Sequence, residues 1–237
     1  MEFVQRLHES KDYKPLAPQV NLVSAVKAPI LASLLKRGFT REILAAWDIV
    51  WDKAVGAMRL PCYPAAGSAE GLIWRYPQGV QPKYRYSPGF ERSRALYGLW
   101  RLSGRIEQMI LVEGPLDAIW VQQCQLACVA ILGSSLSEQQ ALLLRHFQVR
   151  RIVLCFDNDT AGEQAGKKAS YLLRDLGFWV YRANLPKRYK DIQEVPYEKV
   201  KGVLSNPELC VNGSGVLHPR FRRWANNGPK SQSQVWK

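Results

Sequence analysis

Residues 152–166 read IVLCFDNDTAGEQAG: an apolar run, Ile152 to Phe156, that ends in Asp157 and Asp159 and passes into a glycine-bearing helix start at Gly162. The same arrangement occurs upstream, where Met109-Ile110-Leu111-Val112 ends in Glu113 and is followed by Gly114, Pro115 and Asp117. A short continuous apolar run bounded by turn residues reads as a strand buried on both faces, as in a parallel sheet covered by helices. In an open parallel sheet, ligands gather outside the carboxyl ends of the strands. Acids closing two such strands face a common crevice, and that crevice is the candidate site.

The surrounding pattern agrees with this reading. Beyond Glu107, strands are expected at 108–112, 128–132, 151–156 and 178–183, alternating with helices at 115–125, 137–146, 161–176 and about 194–205. Strand and helix in alternation give an α/β fold, a parallel sheet flanked by helices. Upstream, Ile30 to Trp47 has helical spacing interrupted near Gly38. Residues 55–100 are punctuated by Pro61, Pro64, Gly67, Gly71, Pro77, Gly79, Pro82, Pro88 and Gly89, which favours short strands and turns. The expected order is an arm over 1–29, a small mixed α+β basic subdomain over 30–105, the α/β domain over 106–210, and a flexible basic tail over 211–237.

A chain of 237 residues with 47% hydrophobic content can bury a substantial core. The apolar stretches are strand-length and no basic segment precedes an apolar block near the start, so neither a membrane span nor a signal peptide is expected and the reading is cytoplasmic. Lys and Arg number 33 against 20 Asp and Glu, a formal net charge of +13, which points to polyanionic partners. Five cysteines, Cys62, Cys124, Cys128, Cys155 and Cys210, lie mostly among apolar neighbours, so neither a disulfide framework nor a zinc ribbon is expected. Cys124 and Cys128 read as buried packing.

A two-metal phosphoryl-transfer site needs several carboxylates around ions about 4 Å apart. Glu113, Asp157, Asp159 and Asp191 are the candidates. Their hard oxygens favour Mg2+ or Mn2+ over zinc, and the three histidines lie far apart in sequence. Between Arg75 and Arg105 seven basic residues, Arg85 and Arg94 among them, face one acid, Glu91, and six aromatics are interleaved. Basic and aromatic residues in alternation suit single-stranded nucleic acid, with Tyr84 and Tyr86, flanking Arg85, as candidate stacking platforms.

Four segments, ILVEGPLDAI (110–119), AILGSSLSEQQ (130–140), IVLCFDNDTAGEQAG (152–166) and LPKRYKDIQEV (185–195), occur in the order and spacing of a Toprim domain, and the match resembles the DnaG-type primases. The resemblance implies acid/base and metal-binding roles for Glu113, Asp157 and Asp159, a further metal ligand at Asp191, and supporting roles for Asp117, Gly133, Gly162 and Lys190. The family pattern near Asp191 often reads Lys-Asp-Pro-Asp-Glu, whereas this chain has Lys190-Asp191-Ile192-Gln193-Glu194, an amide in place of one carboxylate, as in the primase halves of phage primase-helicases. Residues 59–99 resemble the basic subdomain preceding Toprim in these enzymes, through Arg75, Pro82-Lys83-Tyr84, Ser87-Pro88 and Leu96 to Leu99. There the equivalents of Arg75, Lys83 and Arg92 face template or nucleotide phosphates. The resemblance covers about residues 30–205.

What it implies is a primase core of phage or mobile-element type. Such a core joins ribonucleoside triphosphates on a single-stranded DNA template, and its implied partners are a replicative helicase or a separate zinc-binding or template-recognition protein. Two other readings stay open on the sequence: a Toprim nuclease using the same acids, and a non-catalytic single-strand-binding replication adaptor. A type IA topoisomerase is not expected, since there is no room for the arch carrying its tyrosine. Asp159 before Thr160-Ala161-Gly162 also has the form of a helix N-cap, and Asp117 that of a brace for the turn after Glu113. The run GEQAGKK (162–168) is one residue short of a P-loop and lacks Ser or Thr after Lys167, so no ATPase is read from it.

Overall fold

In the computed structural model the two acid-ended runs lie side by side. β5 (Gln108–Val112) pairs in parallel with β7 (Arg151–Leu154), with Met109 opposite Ile152 and Leu111 opposite Leu154. The structure describes residues 29–63, 71–102, 106–147 and 149–211. The expected arm, apart from Pro29, and the expected tail, apart from Val211, lie outside the described residues.

The parallel sheet has the order β6-β5-β7-β8-β9, where β6 is Cys128–Ala130, β8 is Trp179–Arg182 and β9 is Glu208–Val211. β6, β5, β7 and β8 run parallel and β9 closes one edge antiparallel. Helices α3 (Pro115–Gln122), α4 (Glu138–His146), α5 (Thr160–Asp175) and α6 (Tyr197–Ser205) belong to this half. The α/β reading is correct. Met109, Leu111, Ile152 and Leu154 pack in one cluster, and Ile110, Val112, Val153 and Cys155 in another, as strands buried on both faces require.

Two departures from the sequence reading have local causes. The helix expected over 194–205 is split into a 3-10 turn, Ile192–Glu194, and α6, because Pro196 holds Val195 in extended backbone (φ −75°, ψ 126°). β9 has no counterpart in the pattern: it is an edge strand with Glu208, Leu209 and Cys210 exposed, so no buried face imposes a period.

Upstream, α1 (Pro29–Lys36) and α2 (Arg41–Ala46) form the helical pair, parted at Gly38 with φ +98°. An antiparallel meander follows: β1 (Val50–Asp52), β2 (Ala57–Cys62), β3 (Gly71–Arg75) and β4 (Tyr84–Tyr86) in that order. One core joins the two sheets. Phe39, Leu60, Ile73 and Tyr97 share a cluster with Ile110, Leu116 and Trp120, and the Trp120 ring lies 5.0 Å from that of Phe39. Polar ties reinforce the seam: Tyr97 and Ala130 exchange backbone hydrogen bonds (2.9 and 3.0 Å), and Tyr86 Oη donates to the Leu132 carbonyl at 3.1 Å. Fully buried Gln140 donates through Nε2 to the carbonyls of Arg92, Ala95 and Ile131. The seam therefore fixes the basic segment against the acid-bearing sheet. Among the described residues, no helix is long and apolar enough to cross a membrane.

Candidate metal and nucleic-acid site

Each acid is held by the element that presents it. Glu113 leaves the end of β5, and its Oε1 accepts the Asp157 N–H at 3.0 Å, so the ends of the two central strands are tied through the first acid. Asp159 caps α5, its Oδ1 accepting from Gly162 N–H at 2.9 Å. The capping and the crevice roles are compatible, since a cap uses one carboxylate oxygen. Gly162 has to be glycine: a Cβ there would meet the Asp157 carbonyl oxygen at 2.1 Å. Asp191 caps the 3-10 turn, Oδ1 accepting from Glu194 N–H at 3.2 Å, and lies 3.9 Å from the Arg37 guanidinium. A backbone bond of 2.7 Å from Asn158 N–H to the Lys190 carbonyl binds the Asp157–Asp159 loop to the Asp191 loop.

Asp117 is buried on the first turn of α3. Its Oδ2 accepts from Gly114 N–H at 3.1 Å, which is the expected brace, and its Oδ1 accepts from Gln193 Nε2. The amide that departs from the family pattern thus turns inward onto Asp117.

The charges of these groups act on one another. Burial, and then the neighbouring Asp191 charge, pushes Asp117 up to about 7. Burial raises Asp157 above the ordinary carboxylate range, with Asp191 and Asp159 adding to the rise, while Lys190 and Lys83 oppose it. Glu113 is raised by burial and by Asp157 and Asp159; its bond from the Asp157 N–H and the Lys190 charge pull the other way. Lys83 is lowered by burial and by Arg75, and is held up by Asp117, Asp157 and Asp191. Mutually repelling carboxylates with hard oxygen donors are what a divalent cation relieves, so the donor set fits one. Among the described residues, no three Asp, Glu, His or Cys side chains are gathered in ligand geometry about one point.

The meander divides its cations. Tyr84 and Tyr86 lie on one face of β4 and Arg85 on the other, by strand alternation. Arg75 donates to Tyr84 Oη at 2.7 Å, and the Arg75 guanidinium and Lys83 ammonium lie 5.5 and 5.6 Å from the Tyr84 ring centroid. Burial pushes the Tyr84 phenol up to about 12. The Arg92 guanidinium lies 5.5 Å from the Tyr86 ring centroid and is the group nearest Gly133, 4.0 Å from where a Cβ would stand. Arg85 instead covers Tyr76, and Arg94 pairs with Glu91 at 3.2 Å. Lys83 and Tyr84 couple to the acids, with Arg75 joined to them through Tyr84, whereas Arg85 and Arg94 are engaged by Tyr76 and Glu91. Tyr84 and Tyr86 are packed beneath cations and are not free platforms. Trp47, Tyr97 and Trp100 form an aromatic core cluster.

Arg37 and Asn158 escape sequence reading. Arg37 is far from Asp191 in the chain, and nothing local marks it. Asn158 hides between two acids, yet its Nδ2 donates to the carbonyls of Leu185, Pro186 and Tyr189, fastening the loop that leads to Lys190. A cavity of about 500 Å³ opens beside Asp157 and Asn158, between α5 and the segment after β8.

Comparison with known proteins places the chain among relatives. Residues 110–195 match the Toprim-like family model. The chain is 30% identical over 211 residues to the DNA primase of Clostridium acetobutylicum, covering 84% of this chain and 35% of the primase. It is 30% identical over 168 residues to an uncharacterized Mycoplasma pneumoniae protein, the MG010 homolog, covering 68% of this chain and 79% of that protein. Among solved structures, the DnaG primase catalytic domain bound to single-stranded DNA superposes with a TM-score of 0.65 at 20% identity, covering 78% of this chain and 75% of that one. This chain spans about a third of the Clostridium primase. A divalent metal is typical of the Toprim and primase families. The chain belongs to the Toprim family and is a homologue of DnaG-type primase catalytic cores.

Proposed function

We propose that the crevice carries out template-directed nucleotidyl transfer on single-stranded DNA, joining ribonucleoside triphosphates into short primers. The observation that carries this is the position of Lys83 over the Tyr84 ring of the basic meander, where its charge couples to Asp117, Asp157 and Asp191. A cation-bearing surface and a carboxylate cluster facing each other suit a reaction in which polyphosphate is held while one bond to phosphorus is exchanged for another. The primer 3′-oxygen bonds the α-phosphorus of the incoming nucleotide, the bond to the bridging oxygen breaks, and pyrophosphate leaves.

In this reading Glu113, Asp157, Asp159 and Asp191 hold Mg2+ or Mn2+, hard ions suited to carboxylate oxygens. When bound, such an ion neutralises phosphate charge and makes the attacking hydroxyl more acidic. Lys83, Arg75 and Arg92 bind and orient the phosphates of template or nucleotide. Glu113, already raised by its surroundings, takes the hydroxyl proton at an Oε oxygen. Tyr84, pinned by Arg75, keeps the cations at the crevice rim. Arg85 and Arg94 lie outside this machinery and contribute to the general positive field. A replicative helicase or a zinc-binding recognition protein is the proposed partner.

Primer synthesis on circular single-stranded DNA, with labelled ATP or GTP and with or without Mg2+, tests the reading. Cation-dependent oligoribonucleotides are expected. Shortening of end-labelled nucleic acid without added nucleotides would instead make the chain a nuclease, and activity surviving both Asp157→Ala and Asp159→Ala would remove the acids from the chemistry.

A further inference from the structure

Gln193 is 8% exposed and Asp117 7% exposed, so both are buried. Gln193 Nε2 donates to Asp117 Oδ1, while Asp117 Oδ2 accepts from Gly114 N–H. Gly114 directly follows Glu113, and Gln193 follows Asp191 by two residues. One buried carboxylate therefore spans the two loops that bring acids to the crevice from opposite sides.

Gln193 Oε1 is buried with no hydrogen-bond partner. A side chain that only filled this space would be better apolar, since an orphaned buried acceptor is destabilising. The amide is kept at that cost for its N–H. A carboxylate at the same place would set two buried acids in contact. Both could not ionise, and the pair would need a shared proton or a cation between them.

We infer that Gln193 is a positioning residue whose amide clips the Asp191 loop to the Glu113 loop through Asp117, holding the crevice assembled before any cation arrives. The inference rests on reading the acids as a cation site. Its consequence is that Asp117 is engaged by the clip and is withdrawn from cation binding, and that the spacing between Glu113 and Asp191 is set by hydrogen bonds.

The test compares the full chain with Gln193→Met, Gln193→Glu and a core truncation in α6, Leu204→Ala, by thermal melting in chelator and by Mn2+ titration. In chelator both Gln193 variants are expected to melt lower by roughly 4–10 °C. Saturating Mn2+ should recover most of that loss in Gln193→Glu, where it can sit between two carboxylates, and little in Gln193→Met. Gln193→Met should bind Mn2+ roughly 5–10-fold more weakly than the unmodified chain, while Leu204→Ala, equally destabilised, keeps its affinity. If Gln193→Glu fails to fold, Gln193→Met and Leu204→Ala decide alone. Unchanged Mn2+ affinity in Gln193→Met, or loss equal to that in Leu204→Ala, overturns the positioning role. Absence of Mn2+ binding in the unmodified chain defeats the cation-site reading instead. The clip is then judged on melting in chelator, where equal values for Gln193→Met and the unmodified chain reject it.

Discussion

The parallel sheet presents its acids from loops beyond the ends of strands, whereas the meander presents its cations from the face and rim of a strand pair. In the first case direction is set by chain polarity: every parallel strand delivers its C-terminal loop to the same edge, so Glu113 and Asp157 meet whatever their side-chain parity. In the second, direction is set by register, and neighbours in sequence point to opposite faces. Tyr84 and Tyr86 share one face of β4, and Arg85 takes the other, over Tyr76. Lys83, one residue outside β4, escapes the alternation and lies over the Tyr84 ring, where its charge couples to the acids. Charges at strand ends are thus robust to small changes, and charges on strand faces are not.

The acid side of the comparison is broken most directly by Asp157→Ala. Primer synthesis is expected to fall by roughly 10³-fold, as when a group acting on the developing charge of a transition state is removed. The melting temperature in chelator should not fall, because Asp157 repels Asp117 and Glu113, and the Asp157 N–H that Glu113 accepts belongs to the backbone. A large loss of stability would mean that Asp157 is a structural residue.

Gly162→Ala attacks the loop geometry instead of the charge. The added Cβ meets a backbone oxygen that cannot rotate away, so either α5 or the Asp157 loop must shift. The expected cost is about 2–4 kcal/mol of stability with a loss of roughly 10²-fold in synthesis. Denaturant melts and initial rates measured on the same samples check it. Normal activity with normal stability would place Gly162 away from the site.

These two positions also show what the sequence can disclose. Glu113, Asp157 and Gly162 are legible because a buried strand, an acid and a glycine must follow in that order for the loop to close, and each leaves a local mark. The Asp117 brace is equally local, three residues from its partner. Gln193 and Arg37 are not legible, since their meaning lies in contacts with Asp117 and Asp191 across the fold, 76 residues apart in the first case. β9 was hidden for a different reason: an exposed edge strand pays no penalty for either face and carries no pattern.

Titration sharpens the comparison without changing the chain's shape. Asp117 ionises near 3.8 when unfolded and at about 7 when folded. Below pH 4 both states hold the proton and nothing is lost. Between about 4 and 7 the unfolded state gives it up first, so the folded state binds more protons and stability falls as pH rises. Above 7 the cost is complete and constant. Melts in chelator should therefore decline from pH 5 to pH 7 by the equivalent of roughly 2 kcal/mol, with Glu113 and Asp157 contributing in the same direction. In Asp117→Asn the slope should flatten, and an unchanged slope would assign the pH dependence elsewhere.

The smallest effect bears on the difference between face and rim. Lys83 and Arg85 carry the same charge two residues apart, and a purely diffuse positive field would make them interchangeable. The structure makes them unequal: Lys83 couples to three acids of the crevice, while Arg85 covers Tyr76 on the far face of the meander. Lys83→Ala should lower synthesis about 10-fold, through both the phosphate contact and the added repulsion among Asp117, Asp157 and Asp191, and its loss should persist further into raised salt because Lys83 acts on crevice charges that lie within the screening length. Arg85→Ala should lower it less than about 3-fold and only at low salt, as removal of an exposed charge from a polyelectrolyte contact does. Measuring both variants across a salt series separates the cases. Equal losses with equal salt slopes would mean that register does not sort these cations, and that the meander acts through its net charge alone.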